Sequence, residues 1–243
     1  MNEYSLQSPF LYSLYLDTIK PGKPFPEQYK IEEARNDLLK NNAIIQTEVL
    51  GADSTISQHS KRSVSSIAKG GISEPKYSYL IYRLILELEA KSIWEFGTSL
   101  GINTLYMSSI KNTHVTTFEG CSKTLEIAKT GFKKFSRRNI TCVEGNIDET
   151  ILAELTKTTT LDLVFFDANH RSDPTLNYFQ QCMRKSTEKS VFIFDDIHWS
   201  EEMNQTWEQI KKDPGVSVTI DLFQLGLVFF DHSLTKENFI LKF

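Results

Sequence analysis

Apolar residues are spaced in two ways along most of the chain, and together the two patterns predict an α/β fold. Short, nearly continuous apolar runs recur from residue 93 onward, and amphipathic stretches with apolar residues every three or four positions lie between them. A run such as LDLVFF at 161–166 is typical of a central parallel strand, because helices cover both faces of a parallel sheet. The last two runs, SVTIDL and GLVFF, are three residues apart and should pair antiparallel.

We therefore predict a Rossmann-like, seven-stranded and mostly parallel sheet with an antiparallel last strand and helices on both faces. A helix with Pro75 in its first turn precedes the first strand and carries an apolar stripe that should pack on the sheet. The tail KENFILKF is expected to add an edge segment or to cover the pocket. The predicted strands lie at 93–96, 114–118, 140–143, 161–166, 190–194, 217–222 and 226–230.

Residues 1–72 have a different pattern and are predicted to form a helical extension or lid of the same domain, whereas 73–243 form the main ligand-binding part. Two helices are expected, at SPFLYSLYLDTI and at IEEARNDLLKNN. The polar segment GADSTISQHSKRSVSS is interpreted as a mobile loop, in which His59, Lys61 and Arg62 face solvent or, alternatively, meet a substrate. The stripe Phe10, Leu11, Leu14 and Tyr15 supports the hypothesis of a homodimer.

The composition limits which partners and which cellular compartment are expected. A formal net charge of -4 over 243 residues argues against a surface that neutralises many phosphates, so no nucleic-acid partner is expected. The three cysteines are widely spaced and form no CxxC pair, which favours a reducing, cytoplasmic location over a disulfide framework. No stretch has the start of a secretion signal or the length of a membrane span, so no membrane partner is expected.

The segment SIWEFGTSLGINTLYMS at 92–108 predicts a short buried strand that runs through a glycine turn into a helix. Gly97 and Gly101 fall where the backbone must turn sharply and approach a ligand. The spacing Glu-x-Gly-x-x-x-Gly lacks the third glycine of the dinucleotide fingerprint and the Lys-Ser/Thr of a phosphate loop. A pyrophosphate site is therefore the weaker interpretation, and an ordinary strand-to-helix turn is the alternative.

Polar residues end each of the five predicted parallel strands. In open α/β sheets ligands bind beyond these carboxyl ends, so the polar residues should meet around one site. Glu119 lies about twenty residues beyond the glycine loop, where an acid can accept hydrogen bonds from both ribose hydroxyls of a nucleoside. The strand-end residues are Glu95, Glu119, Asn146, Asp167, and Asp195 with Asp196.

The acid, the glycine spacing and the later strand-end residues resemble those of the class I S-adenosylmethionine-dependent methyltransferases. The resemblance covers about residues 73–230 and implies S-adenosylmethionine as the cofactor. It places the ribose at Glu119 and the adenine near Asn146, where many members have Asp, and near Ile147. The implied cofactor-binding residues are Glu95, Gly97, Thr98, Ser99, Gly101, Glu119, Gly120, Asn146, Ile147 and Asp167.

The segment after the fourth strand narrows the reaction. The chain has Asp167-Ala168-Asn169-His170 there, and it lacks the Asp/Asn-Pro-Pro-aromatic and Pro-Cys motifs of enzymes that methylate bases. It resembles the catechol-type small-molecule O-methyltransferases, in which a Lys acts as base where this chain has His170. A histidine can be a general base at neutral pH, and a polar loop residue is the alternative. Asp167 and His198 are the other catalytic candidates.

The same resemblance implies a magnesium ion. Its ligands would be Asp167, Asp195 and Asp196, although the family has Asn at the last position. The predicted function is S-adenosylmethionine-dependent methylation of a small-molecule acceptor, most simply on a hydroxyl, with a histidine or a divalent metal handling the proton. The alternatives are a nicotinamide-dependent oxidoreductase and a non-catalytic nucleoside-binding or interaction protein.

Overall fold

The computed structural model describes residues 8–20, 22–49 and 58–243. Within them, a separate hairpin of two strands accompanies one sheet of eight strands. The hairpin is β1 (Ile44–Val49) and β2 (Gln58–Ser63). The sheet contains β3 (Ser92–Phe96), β4 (His114–Glu119), β5 (Ile140–Glu144), β6 (Leu163–Phe166), β7 (Val191–Asp195), β8 (Val218–Asp221), β9 (Leu225–Phe229) and β10 (Glu237–Ile240).

Helices connect these strands and cover the sheet. A π-helical turn at Leu14–Ile19 extends the first helix. None of the helices in the described ranges is long and apolar enough to span a bilayer. The helices are α1 (Pro9–Ser13), α2 (Gln28–Lys40), α3 (Val64–Gly71), α4 (Pro75–Glu87), α5 (Ile102–Met107), α6 (Ser122–Lys134), α7 (Ile147–Lys157), α8 (Ser172–Met183) and α9 (Glu201–Lys212).

The strand order β10-β8-β9-β7-β6-β3-β4-β5 confirms the predicted Rossmann-like arrangement. Strands β3 to β7 are parallel to one another, and β9 runs antiparallel to both β7 and β8. The predicted count of seven strands is wrong by one, because the tail adds β10 parallel to β8. Order reverses between β3 and β6, which opens a crevice for a ligand at the carboxyl ends of these strands.

Alternate residues of the central strands pack in two separate hydrophobic cores, one on each face of the sheet. Ile93 of β3 packs on the side covered by α4, whose predicted stripe, including Leu80 and Leu84, is buried. Trp94, the next residue of β3, packs on the opposite side with residues of α7, α8 and α9. Both faces of the sheet are therefore covered, as its nearly continuous apolar strands predict.

The N-terminal part is more than the helical extension that the pattern predicts. Strand β2 and helix α3 occupy residues interpreted as a loop, while 51–57 of that segment lie outside the described residues. The sequence of β2, QHSKRS, has no alternating apolar face, so nothing in its pattern indicates a strand. Helix α3 begins after Ser63, whose hydroxyl accepts the N–H of Ser66 at 3.1 Å.

The aromatic stripe proposed as a dimer contact is largely used inside the chain. Leu11, Leu14 and Tyr15 are buried in the core that α4 and the sheet form. Phe10 remains 40% exposed, and its ring meets that of Phe229 edge to face. This stripe therefore no longer supports a dimer, because its apolar area is already covered by the same chain.

Candidate active site

A cavity of about 750 Å³ lies at the carboxyl ends of β3 to β7. One wall is formed by the glycine loop and by the residues that follow β4, β5, β6 and β7. A further part of the wall comes from the end of α3, from the loop 72–74 that leads into α4, and from Arg62 of β2. The cavity brings together these predicted site residues: Gly97, Ser99, Glu119, Gly120, Asn146, Ile147, Asp167, His170, Asp195 and Asp196.

The two glycines of the loop have left-handed backbones, with φ of 96° at Gly97 and 82° at Gly101. A Cβ on Gly97 would lie 2.1 Å from the carbonyl oxygen of Asp167. A Cβ on Gly101 would lie 2.7 Å from Cε1 of Phe132 in α6. Gly101 is not part of the cavity wall, so the requirement for glycine there comes from packing against α6 rather than from a ligand.

Glu95 and Thr98 are also absent from the cavity wall, contrary to their predicted role in holding the cofactor. Glu95 is completely buried and accepts hydrogen bonds from Thr104 Oγ1 at 2.5 Å and Thr117 Oγ1 at 2.6 Å. Burial raises the pKa of Glu95 to about 8, although both hydroxyls favour its charged form. Thr98 Oγ1 lies 2.5 Å from Thr117 Oγ1, so both side chains support the loop from beneath.

Glu119 stands at the end of β4, on the cavity wall. Its Oε2 accepts the backbone N–H of Ser99 at 2.8 Å, and its Oε1 accepts that of Cys121 at 2.9 Å. Burial raises the pKa of Glu119, against the lowering effect of these backbone donors. Each carboxylate oxygen retains a second lone pair, so the group can still accept hydrogen bonds from two hydroxyls of a ligand.

The end of β5 supplies a polar and an apolar group to the same cavity. Asn146 caps α7, and its Oδ1 accepts the N–H of Asp148 at 3.1 Å. Gly145 precedes it with φ of 121°, and Ile147 follows as the first residue of α7. Asn146 and Ile147 both line the cavity, and this pairing of a polar with an apolar residue suits a flat heteroaromatic ring with polar edges.

Three carboxylates meet at the ends of β6 and β7. The pKa of Asp167 is raised well above its usual value by burial and by the nearby charges of Asp195, Glu95 and Asp196. Burial also raises the pKa of Asp195, despite a hydrogen bond from Gln224 Nε2 at 3.0 Å. The same amide nitrogen donates to Asp196 Oδ1. In the described part of the chain, no three His, Cys, Asp or Glu side chains have donor atoms arranged around a metal position.

His170 lies beside this carboxylate cluster and lines the cavity. Its Nε2 is 3.6 Å from Asp167 Oδ1 and 3.9 Å from Asp196 Oδ2. The backbone is left-handed at Asn169, His170 and Asp196, with φ of 66°, 39° and 55°. Such conformations are costly for residues with a Cβ and concentrate at functional sites, where the surrounding structure holds them.

His198 does not share the cavity, contrary to its prediction as a second base. Its Nδ1 lies 2.5 Å from Asn204 Oδ1 and its Nε2 lies 2.8 Å from Asp221 Oδ2. Burial lowers the pKa of His198, but the hydrogen bonds to Asn204 and Asp221 outweigh this effect and raise it. Both ring nitrogens are occupied, so His198 has no free atom for a proton from an acceptor.

Several residues that line the cavity are not among the predicted site residues. Gln224 precedes β9 and reaches back to the carboxylates, which no local motif indicates. Ser73 and Glu74 line the cavity, as does Arg62, one of the three residues for which contact with a substrate was the alternative. The side chain of His59 lies outside the described part. Trp199 is 74% exposed at the cavity rim and forms part of its lining.

Part of the chain matches a known protein family. Residues 94–197 match a family model described as a methyltransferase domain. No curated protein sequence matches the chain. A putative caffeoyl-CoA O-methyltransferase from Staphylococcus aureus has a similar structure, with a TM-score of 0.61 and 20% identity over 68% of this chain and 88% of that one.

Two further solved structures resemble almost the whole chain. An O-methyltransferase from Bacillus cereus, in complex with SAH, has a TM-score of 0.61 and 16% identity over 93% of this chain and 99% of that one. The O-methyltransferase TomG from Streptomyces achromogenes, in complex with SAM, has a TM-score of 0.59 and 15% identity over 95% and 99%. Residues 94–197 therefore match a methyltransferase domain, and the chain has the fold of these solved O-methyltransferases.

Proposed function

We propose that the protein transfers a methyl group from S-adenosylmethionine to a hydroxyl of a small molecule, with His170 as the general base. The observation that carries the proposal is the position of Glu119 and His170 on one cavity. Glu119 offers a carboxylate suited to a ribose, and His170 offers a basic nitrogen beyond the glycine loop. Solved O-methyltransferases of the same fold contain SAM or SAH, which supports the choice of cofactor.

The cavity residues suit the cofactor in the order of the strand ends. Asn146 and Ile147 would hold the adenine, Glu119 the ribose, and Ser99 with the loop 72–74 the amino-acid part. When bound there, S-adenosylmethionine supplies a methyl group on a positively charged sulfur. Asp167 lines the cavity, and its carbonyl lies against Gly97 of the glycine loop. It would therefore lie close to the positively charged sulfur. Alignment of the acceptor with the methyl group is then the main contribution of the protein.

His170 would take the proton of the acceptor hydroxyl as the oxygen bonds to the methyl carbon and the carbon–sulfur bond breaks. The nearby oxygens of Asp167 and Asp196 would stabilise the imidazolium that forms. Asn169 helps to fix this segment, because its Nδ2 donates to the hydroxyl of Tyr178 at 3.0 Å, and that hydroxyl donates to Asp148 at 2.8 Å. These hydrogen bonds therefore stabilise the left-handed turn that carries His170.

A divalent cation is a second route for the proton. Asp167, Asp195 and Asp196 are the hard oxygen ligands that magnesium prefers, and their mutual repulsion would be relieved by a cation. When bound, the ion would lower the pKa of a coordinated hydroxyl. In the described structure Gln224 donates to two of these carboxylates, so its amide would have to turn away before all three could serve as ligands.

The acceptor would enter between the rim and the N-terminal wall. Trp199 at the rim and Arg62 on β2 both line the cavity, so residues 1–72 would act as a wall or lid of the same domain as 73–243.

All three cysteines are free, and Cys121 and Cys182 are buried, which suits a reducing cytoplasm.

The direct test is transfer of a tritium-labelled methyl group from S-adenosylmethionine to a panel of hydroxylated small molecules. Activity that survives EDTA and is lost in His170→Ala assigns the proton to His170. Activity that EDTA abolishes and magnesium restores assigns it to the cation. Binding of S-adenosylhomocysteine without transfer to any acceptor would favour the non-catalytic nucleoside-binding alternative, and binding of NADH instead would favour the oxidoreductase.

A further inference from the structure

A buried arginine in the N-terminal region is tied to the wall of the cavity. Arg35, on α2, is 5% exposed and donates from Nη1 to the carbonyl oxygen of Ser73 at 2.5 Å. Its Nη2 donates to Ser78 Oγ at 3.0 Å, and its Nε donates to Glu32 at 2.9 Å. Every nitrogen of the guanidinium therefore has a partner, which is the arrangement that makes a buried arginine stabilising.

These contacts belong to a closed ring of hydrogen bonds. Ser78 Oγ donates to Asn103 Oδ1 at 2.6 Å, and Asn103 Nδ2 donates to Ser73 Oγ at 2.9 Å. Ser73 is thus held at its carbonyl by Arg35 and at its hydroxyl by Asn103. The ring joins α2, the loop 72–74, the first turn of α4 and the first turn of α5, which directly follows the glycine loop.

The loop that the ring holds is one wall of the ligand cavity. Ile72, Ser73 and Glu74 line the cavity, whereas Arg35 does not. The wall also stands close to the glycine loop, because a Cβ on Gly71 would lie 3.2 Å from Ser99 Oγ. A nucleoside with its ribose on Glu119 and its base toward Asn146 would direct its 5′ substituent toward Ser99 and this wall.

We infer that Arg35 is a positioning residue for cofactor binding, which sets the 72–74 wall against the amino-acid part of S-adenosylmethionine. The inference rests on the proposed function and gives the N-terminal region a defined part in it. Arg35 would act through Ser73 and would not touch the cofactor itself. Its loss should therefore weaken binding of ligands that carry the amino-acid part and spare those that lack it.

The test compares S-adenosylhomocysteine with 5′-methylthioadenosine, which lacks the amino-acid part, by calorimetric titration of the full chain. Arg35→Met should bind S-adenosylhomocysteine about tenfold more weakly than the wild type, a loss typical of a hydrogen bond from a charged group. Its affinity for 5′-methylthioadenosine should be unchanged. Arg35→Lys, which keeps a positively charged donor at this position, should recover part of the difference.

Arg83→Met is the matched control. Arg83 is also a buried arginine, on α4, and donates to the carbonyl oxygens of Ile19 and Lys20 without lining the cavity. Its loss should lower stability and leave the ratio of the two affinities unchanged. If Arg35→Met does not fold, Ser78→Ala replaces it, because that change opens the ring at one hydroxyl, and about a threefold change in the ratio is expected.

The outcomes separate this inference from the proposed function. Equal losses for both ligands, or no loss for either, would overturn the positioning role while the wild type still bound S-adenosylhomocysteine. Failure of the wild type to bind S-adenosylhomocysteine would overturn the proposed function and this inference with it.

Discussion

The carboxylate of Glu119 accepts the backbone N–H of Ser99 at 2.8 Å and so joins the end of β4 to the glycine loop after β3. One side chain therefore shapes the loop and also faces the cavity. A carboxylate held by two backbone donors is fixed in orientation before a ligand arrives, and preorganisation of this kind lowers the cost of binding.

The glycine loop should not tolerate a side chain at its first glycine. Gly97→Ala places a Cβ 2.1 Å from the Asp167 carbonyl at a left-handed φ, so we expect a loss of several kcal/mol of stability, on the order of 3, and no binding of S-adenosylhomocysteine. Thermal denaturation and calorimetry measure the two effects. Gly131→Ala is the control, because nothing lies within 4 Å of its Cβ on α6, and it should stabilise the helix by about 1 kcal/mol.

Glu95 should make the stability of the protein depend on pH. Its pKa is raised from 4.5 to about 8, so the folded state keeps a proton between these values that the unfolded state has lost. The free energy of unfolding should therefore fall as pH rises through this window, by up to about 1.4 kcal/mol per pH unit for this group. Glu95→Gln removes that contribution. Urea denaturation at pH 6, 7 and 8 should show that the variant becomes more stable relative to the wild type as pH rises. If the free energies of unfolding of both proteins change equally with pH, the raised pKa of Glu95 is contradicted.

The carboxyl of Asp167 should destabilise the folded protein and yet be needed for methyl transfer. Burial and the charges of Asp195, Glu95 and Asp196 raise its pKa, so its ionised form is unfavourable in the folded protein. We expect Asp167→Asn to raise the free energy of unfolding at pH 8, where this carboxyl is ionised in the unfolded state. The same change should reduce methyl transfer. If the variant is instead less stable than the wild type at pH 8, this prediction is wrong, and other interactions stabilise the Asp167 carboxylate in the folded protein.

The two histidines should behave differently. His170→Ala should lower kcat by about a hundredfold or more, because it removes the proposed base, and should change the affinity for S-adenosylhomocysteine by less than about twofold. His198→Ala is the control: it should lower stability through the lost Asp221 and Asn204 contacts and leave kcat nearly unchanged. Equal losses of kcat in both variants would argue against a specific role for His170.

The sheet and the strand-end residues could be predicted because their signals are local. LDLVFF is apolar at nearly every position since β6 is buried on both faces, and an acid directly after such a strand is readable in the sequence. Glu119 was predicted in this way, whereas His170 was predicted from the resemblance to catechol-type O-methyltransferases, at the place where they have a Lys. Strand β2 was missed for the converse reason, because its polar residues have no buried face to mark it.

The remaining site residues depend on contacts between distant positions. Arg35 and Ser73 are 38 residues apart, and Gln224 meets Asp196 from a position 28 residues away, so no motif joins either pair. Glu95 has the sequence position of a ligand-binding acid, but the threonines of β4 and α5 enclose it. Which side of the backbone a strand-end acid faces is decided by packing, which spacing alone does not reveal.

The central claim is that the cavity binds the cofactor through Glu119. Calorimetric titration of S-adenosylhomocysteine into the wild type and into Glu119→Gln tests it most directly, with Glu144→Gln as the control. Glu144 ends the neighbouring strand β5, is half exposed and pairs with Lys129 at 3.5 Å. We predict tight binding that Glu119→Gln weakens by about tenfold or more and that Glu144→Gln retains. No binding to the wild type, or equal binding to all three proteins, would contradict the account.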